Sequence, residues 1–94
     1  MIKKREKDEM LLNVGIELRK LRLSKGYKSA ELFSYEHNLN RTAYWRWENG
    51  QNITMKNFLR LCNIHNLSPK DFFGLIDHKL NKYPITSFLN EPHE

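Results

Sequence analysis

The sequence predicts an all-α protein made of five short helices in one compact domain. Apolar residues recur at helical spacing along the chain. Residues suited to cap a helix precede four of the predicted helices, and a glycine follows two of them. A length of 94 residues is enough for a single core of helices but too short for a core and a separate catalytic module.

The net charge of +5 comes entirely from the N-terminal part of the chain. Residues 1–28 hold nine Lys or Arg against four Asp or Glu, while residues 29–94 hold seven of each. A basic end favours a polyanionic partner, although a solvated helix face explains such a bias about equally well. No apolar run is long enough to span a membrane and no secretory signal is apparent, so we expect a cytoplasmic protein.

The sequence contains no pattern that is typical of a catalytic or metal site. The single cysteine, Cys62, lies in an apolar helical pattern and is expected to be an inert core thiol. The four histidines are not paired with one another or with Cys62 at metal-ligand spacing. No phosphate-binding glycine loop and no nucleophile beside a base is present. We therefore expect neither an enzyme nor a requirement for a cofactor or metal.

The chain is predicted to form one domain over residues 1–94, with a helical core at 10–77, a basic N-terminal extension at 1–9 and a C-terminal tail at 78–94. The first helix is predicted from about Glu6 to Lys25, and Gly26 ends it. Its core stripe is Leu11, Val14, Leu18 and Leu21. A weaker stripe, Leu12, Ile16 and Leu23, is available to the tail or to a partner subunit.

The segment from Asn40 to Gly50 is predicted to be a short helix with two different faces. One face carries Arg41, Thr42, Trp45, Arg46 and Asn49, and the other carries Ala43, Tyr44 and Trp47. Asn40 is a suitable N-cap, and Gly50 suits the left-handed residue that ends a helix. So short a helix is unstable alone, so a scaffold must present its hydrogen-bond donors. This arrangement suggests a helix that reads DNA.

A second short helix is predicted directly before this segment. Ser29 is its expected cap, and the helix runs from Ala30 to His37. Asn38 then tolerates left-handed geometry, and Leu39 provides an apolar residue to fill the turn. The two helices and their tight turn form a helix-turn-helix.

Residues 29–50 resemble the helix-turn-helix of the phage repressor and Cro type, also called the xenobiotic-response-element type. Residues 15–73 fit that family's five-helix, lambda-repressor-like domain, with Glu48-Asn49-Gly50 matching its closing motif. Gly15 and Arg22 match the glycine and arginine of its first helix, and the resemblance implies that Arg22 and Glu48 form a structural ion pair. The sequence departs from the family pattern at three positions. Asn38 stands where the family has a turn glycine, Ala30 where it has a glutamine, and His37 where it has an apolar residue.

The resemblance and the chemistry of the polar face together predict the residues that contact DNA. Arginine pairs bidentately with the O6 and N7 atoms of guanine, and threonine can contact a thymine methyl group. The expected base contacts are Arg41, Thr42 and Arg46. The expected backbone contacts are Asn40, Asn49, Gln51, Asn52 and Lys56. For Trp45 two alternatives stay open: stacking on a sugar or on Arg41, and packing against the second helix near Tyr35.

The last two helices are expected to close the core and to supply a dimer interface. Thr54 caps the fourth helix, and Ser68 with Pro69 at the next position begins the fifth. The predicted interface residues are Phe72, Ile76 and Leu80, together with the tail at 83–89. They provide more apolar surface than a monomer of this size is expected to bury.

These features predict a small transcriptional regulator that binds a pseudo-palindromic operator in double-stranded DNA as a homodimer. The alternative is an antitoxin or other protein-interaction module, with a toxin-like protein as partner and only secondary, autoregulatory DNA binding. No membrane association is expected for either.

Overall fold

The structure is a computed structural model that describes residues 8–76, and this part of the chain is entirely α-helical outside its turns. The helices are α1 (Glu9–Ser24), α2 (Ala30–Glu36), α3 (Arg41–Glu48), α4 (Met55–Ile64) and α5 (Pro69–Leu75). The predicted all-α fold with five helices is confirmed over these residues. None of the helices within 8–76 has both the length and the apolar character needed to cross a membrane.

Each helix begins after a polar residue whose side chain accepts a hydrogen bond from the first turn. These residues are Asp8, Ser29, Asn40, Thr54 and Ser68. Such caps satisfy backbone N–H groups that have no partner within the helix. The four caps predicted from the sequence are confirmed. The predicted start of α1 at about Glu6 is wrong, because Asp8 is extended and accepts from the N–H groups of Met10 and Leu11.

The core is formed by side chains from all five helices. Phe33 of α2 is fully buried at its centre and contacts Tyr44 of α3 at a ring-centroid distance of 5.1 Å. Leu18, Leu61 and Phe72 are each 1% exposed and bring α1, α4 and α5 into the same core. Burial of such side chains is the main favourable term in folding. The core therefore holds α3 by its apolar face.

The predicted dimer interface needs correction. Phe72 and Ile76 are both 1% exposed within the single chain, so they belong to its core and offer no free surface. Apolar residues at i and i+4 indicate a buried face, but the pattern does not say whether the covering surface belongs to the same chain. Leu80, the tail at 83–89 and most of the basic extension lie outside the described residues.

Candidate nucleic-acid interface

The turn between α2 and α3 fixes the direction in which α3 leaves the core. Asn38 adopts a left-handed conformation with φ of 57° at the position where the family pattern has a glycine. Asparagine tolerates this region better than most residues do. The N–H of Leu39 then donates to the carbonyl of Ser34 at 2.8 Å, and the Leu39 side chain is buried. The predicted role of Asn38 and Leu39 in a tight turn is confirmed.

Arg60 of α4 adds a contact to this turn that sequence reasoning missed. Its Nη2 donates to the carbonyl oxygens of His37 at 3.1 Å and Asn38 at 3.0 Å. A cation near a helix C-terminus satisfies carbonyls that have no partner inside the helix. In the sequence Arg60 lies one turn after Lys56 on the polar face of α4, and this pattern does not distinguish a contact with the turn from simple solvation.

A buried ion pair attaches the end of α3 to α1. Nε of Arg22 donates to Oε2 of Glu48 at 2.8 Å, and Nη2 donates to Oε1 at 3.1 Å. Only 6% and 7% of the two side chains are exposed. Nη1 of Arg22 also donates to the carbonyl of Tyr27 at 2.9 Å, so the guanidinium contacts two parts of the chain. The predicted structural pair of Arg22 and Glu48 is confirmed.

The electrostatics of this pair extend to a buried tyrosine. The hydrogen bond to Glu48 raises the pKa of Arg22 above its usual value, although burial opposes the effect. Burial raises the pKa of the Tyr44 hydroxyl, and the adjacent Glu48 carboxylate raises it further. The raised pKa values keep Arg22 charged and Tyr44 neutral at neutral pH.

Gly15 allows α1 to approach α3 closely enough for the pair to form. A Cβ atom at this position would lie 2.6 Å from the carbonyl oxygens of both Trp47 and Glu48. Real Cβ atoms do not come that close to backbone oxygens, so only glycine fits here without a shift of the helices. The match of Gly15 to the glycine of the family's first helix therefore has a steric explanation.

The opposite face of α3 is open to solvent. Arg41, Thr42, Trp45 and Arg46 are all exposed, whereas Tyr44 and Trp47 are buried. Arg46 has no ion-pair partner among residues 8–76. The structure thus separates α3 into the two faces predicted from the sequence, and it brings the three predicted base-contacting residues together on one of them.

Arg41 has a partner that the sequence did not suggest. Its Nη1 lies 2.6 Å from Oε2 of Glu31 in the first turn of α2. Both side chains are 66% exposed. The only sign of this contact in the sequence was the opposite charge of the two residues. The rules that pair residues three or four positions apart apply within one helix and do not predict a contact between two helices.

Trp45 lies beside this pair with 56% of its surface exposed. Together with Ala30, Glu31, Arg41 and Thr42 it lines an open recess of about 280 Å³ between α2 and α3. A second recess that Glu31 and Arg41 also line includes Tyr35, which is 79% exposed, and does not include Trp45. Trp45 therefore lies near the start of α2, with more than half of its surface free for another molecule.

The predicted backbone-contacting residues lie at the two ends of α3 and just beyond it. All are exposed: Asn40, Asn49, Gln51, Asn52 and Lys56. Two of them also have roles in the fold, since Asn40 Oδ1 accepts from the N–H of Ala43 at 2.8 Å and Asn49 Nδ2 donates to the carbonyl of Trp45 at 2.8 Å. Gly50, with φ of 89°, confirms the predicted left-handed end of the helix.

No group of three or more potential metal ligands lies together within the described part of the chain. Cys62 is buried, and burial raises the pKa of its thiol, as expected for an inert core cysteine.

The ring of His37 packs on Phe33 at 4.4 Å, so an aromatic contact fills this position, where the family pattern has an apolar residue.

Comparison with solved structures identifies proteins with the same fold. The restriction-modification controller protein C.AhdI from Aeromonas hydrophila is 30% identical, with 70% of this chain aligned to 100% of that chain and a TM-score of 0.61. The wild-type restriction-modification controller protein C.Esp1396I is 29% identical over 80% of this chain and 97% of that chain, with a TM-score of 0.66. A single-residue variant of C.Esp1396I is 28% identical over 84% of this chain, with a TM-score of 0.68.

No protein-family model and no curated protein sequence matches the chain. The structural likeness covers the whole of C.AhdI at 30% identity. The chain therefore belongs to the phage repressor and Cro type, or xenobiotic-response-element type, family of helix-turn-helix regulators, to which these controller proteins also belong.

Proposed function

We propose that this protein is a transcriptional regulator that binds specific sequences in double-stranded DNA with residues 41–49 in the major groove. The observation that carries the proposal is the exposed face of α3, where two arginines and a tryptophan contribute nothing to the core. The major groove of B-DNA is wide enough to admit an α-helix. A helix held by its apolar face and presenting donors on the other face suits that groove.

Arg41 and Arg46 supply the base contacts in this proposal, with Thr42 between them. The two arginines lie five residues apart, which places them about one turn apart along α3 and about 140° apart around its axis, at the two edges of the polar face. Each guanidinium has the planar donor geometry that fits guanine O6 and N7. Thr42 adds a methyl group suited to thymine.

The exposed polar residues at the ends of α3 hold the protein on the DNA backbone. Asn40, Asn49, Gln51, Asn52 and Lys56 are close enough in sequence to flank the reading helix on both sides. Contacts of this type set orientation and carry no direct sequence information. Trp45 is proposed to stack its exposed surface on a sugar or base beside the groove.

The likeness to restriction-modification controllers suggests which genes the protein regulates. We propose that it controls transcription of neighbouring restriction-modification genes, as the names of its structural neighbours indicate for those proteins. This favours the regulator over the antitoxin alternative. A restriction or methyltransferase gene beside its own gene would support the proposal, whereas a small toxin-like gene would support the alternative.

The operator is proposed to be pseudo-palindromic and bound by a homodimer. One helix as short as α3 covers few base pairs, and two copies related by a two-fold axis reach successive major grooves about 34 Å apart. With Phe72 and Ile76 in the core, the apolar surface that α5 leaves exposed is Phe73 at 37% and Leu75 at 44%. Sedimentation equilibrium of the parent and of a Phe73→Asp/Leu75→Asp variant tests this interface. A parent that is monomeric both free and on its selected DNA contradicts the dimer.

Selection of bound duplexes from a random pool tests the proposed function itself. The expected result is a short enriched sequence with two inverted half-sites, each containing guanines for Arg41 and Arg46. Affinity for the selected duplex should exceed that for a scrambled duplex by at least about a thousandfold at physiological salt. Equal affinity for the two duplexes would contradict sequence-specific binding.

A further inference from the structure

We propose that Glu31 determines specificity by restraining Arg41, so that Arg41 binds guanine in preference to phosphate. This inference rests on the proposed DNA-reading function and assigns a role to a residue of α2 that lies outside the reading helix. Glu31 is a positioning residue in this proposal, because it acts through the guanidinium of Arg41.

The geometry of the pair leaves most of the Arg41 guanidinium available. Only Nη1 contacts Glu31, at 2.6 Å from Oε2, in contrast to the two-bond pairing of Arg22. Arginine has five N–H donors. Within residues 8–76, Nε and Nη2 of Arg41 have no hydrogen-bond partner, so this edge of the guanidinium remains free for a base.

The pair of Arg41 and Glu31 contributes little to the stability of the fold. Both side chains are 66% exposed, and ion pairs of this kind contribute little in water because solvent screens them. The recesses that Arg41 and Glu31 line, one with Trp45 and the other with Tyr35, are open to solvent, so it is the contact with Glu31 that keeps the guanidinium beside α2.

The restraint matters when the α3 face approaches DNA. A free Arg41 would bind any phosphate, because charge attraction to the backbone is independent of sequence. Pairing with Glu31 cancels that charge, and the carboxylate itself is repelled by phosphates. Guanine offers two acceptors to the free edge of the guanidinium without displacing Glu31. The pair therefore weakens binding to wrong sequences more than it weakens binding to the right one.

Glu31→Gln removes the charge while keeping the size of the side chain, and Glu36→Gln is the matched control. Glu36 lies on the same helix and is exposed, but its Oε1 accepts from the Tyr27 hydroxyl at 2.8 Å and does not contact α3. Both changes alter the net charge by one. Any general effect of charge on DNA binding is therefore common to both variants.

The experiment measures affinities of the parent and both variants for the selected duplex and for a scrambled duplex, over a series of salt concentrations. For Glu31→Gln the ratio of the two affinities should fall about fivefold, and the salt slope on scrambled DNA should steepen by about one. For Glu36→Gln the ratio should match that of the parent.

Two results would overturn the inference, and they are distinguishable from a failure of the proposed function. If the parent discriminates between the duplexes and Glu31→Gln leaves the ratio at the value of the parent, Glu31 has no role in specificity. If both variants lower the ratio equally, the effect belongs to charge in general and the inference is again wrong. A parent that does not discriminate at all overturns the proposed function, and this inference with it.

Discussion

The two ends of α3 each carry an arginine–glutamate pair, and the two pairs differ in almost every physical respect. At the C-terminal end, Glu48 makes two hydrogen bonds to Arg22, and both side chains are more than nine-tenths buried. At the N-terminal end, Arg41 makes one contact to Glu31, and both side chains are two-thirds exposed.

Solvent decides what each pair can do. A buried charge must keep its partner, because an unpaired charge in the interior is costly, so the Arg22 pair fixes α3 on its scaffold. An exposed pair is screened by water and adds little to stability, and the donors of Arg41 that Glu31 does not use remain open to another molecule. The same chemical pairing therefore serves folding at one end of α3 and is available for recognition at the other.

The largest expected effect is on stability, at the buried pair. Arg22→Ala should lower the free energy of unfolding by about 3–5 kcal/mol, because it leaves Glu48 buried without a partner. Arg41→Ala should change it by less than about 1 kcal/mol. Urea unfolding of the two variants measures both values. Equal unfolding free energies would remove the distinction between the pairs.

A second effect tests the close approach that lets the buried pair form. Gly15→Ala should destabilise the protein by about 1–3 kcal/mol, since the new Cβ would lie 2.6 Å from two backbone oxygens. Gly74→Ala in α5 is the matched control, because within residues 8–76 no atom outside its own stretch of helix lies within 4 Å of its Cβ position. On helix propensity alone each change should stabilise by about 0.5–1 kcal/mol, and only Gly74→Ala should do so. Stabilisation by both changes would show that the helices are not in close contact at Gly15.

A third effect is on the pH dependence of stability, and it comes from a buried histidine. His65 stacks on Phe33, and burial lowers its pKa to about 4, with Lys25 and His37 adding to the shift. The unfolded chain, with a histidine pKa of about 6.5, binds the proton more readily than the folded protein does. The free energy of unfolding should therefore fall as the pH drops from about 6.5 towards 4.

His65→Phe provides the control for this pH dependence. The variant keeps an aromatic ring against Phe33 and has no imidazole to titrate. Its unfolding free energy should depend less steeply on pH between about 4 and 6.5 than that of the parent. Identical slopes for the two proteins would show that His65 is protonated as easily in the folded protein as in the unfolded chain.

The fold and the buried pair were predictable because their signals lie in patterns that sequence displays. Caps at Ser29, Asn40, Thr54 and Ser68 predicted the helix starts, and the resemblance to the repressor and Cro type family implied the pairing of Arg22 with Glu48. The caps depend on local geometry, and the buried pair lies beside a core that the chain must form in any case.

The exposed pair and the α5 surface were not predictable in the same way. Glu31 and Arg41 meet only because the turn at Asn38 sets the angle between α2 and α3, and that angle is a tertiary property. Phe72 and Ile76 were assigned to a dimer interface because an apolar stripe shows that a face is covered but not which chain covers it. The contact of Arg60 with the turn was not predictable either, because Arg60 binds backbone carbonyls, which have no sequence signature.

The most direct test of the account is the affinity of Arg41→Ala and Arg46→Ala for the selected duplex, with Lys56→Ala as the control. Each reading-face variant should lose about 1–3 kcal/mol on that duplex and relax its base preference at one position, while remaining folded. Lys56→Ala should weaken selected and scrambled duplexes alike and reduce the salt slope by about one. Arginine variants that bind the selected duplex as tightly as the parent would contradict the assignment of the α3 face as the reading surface.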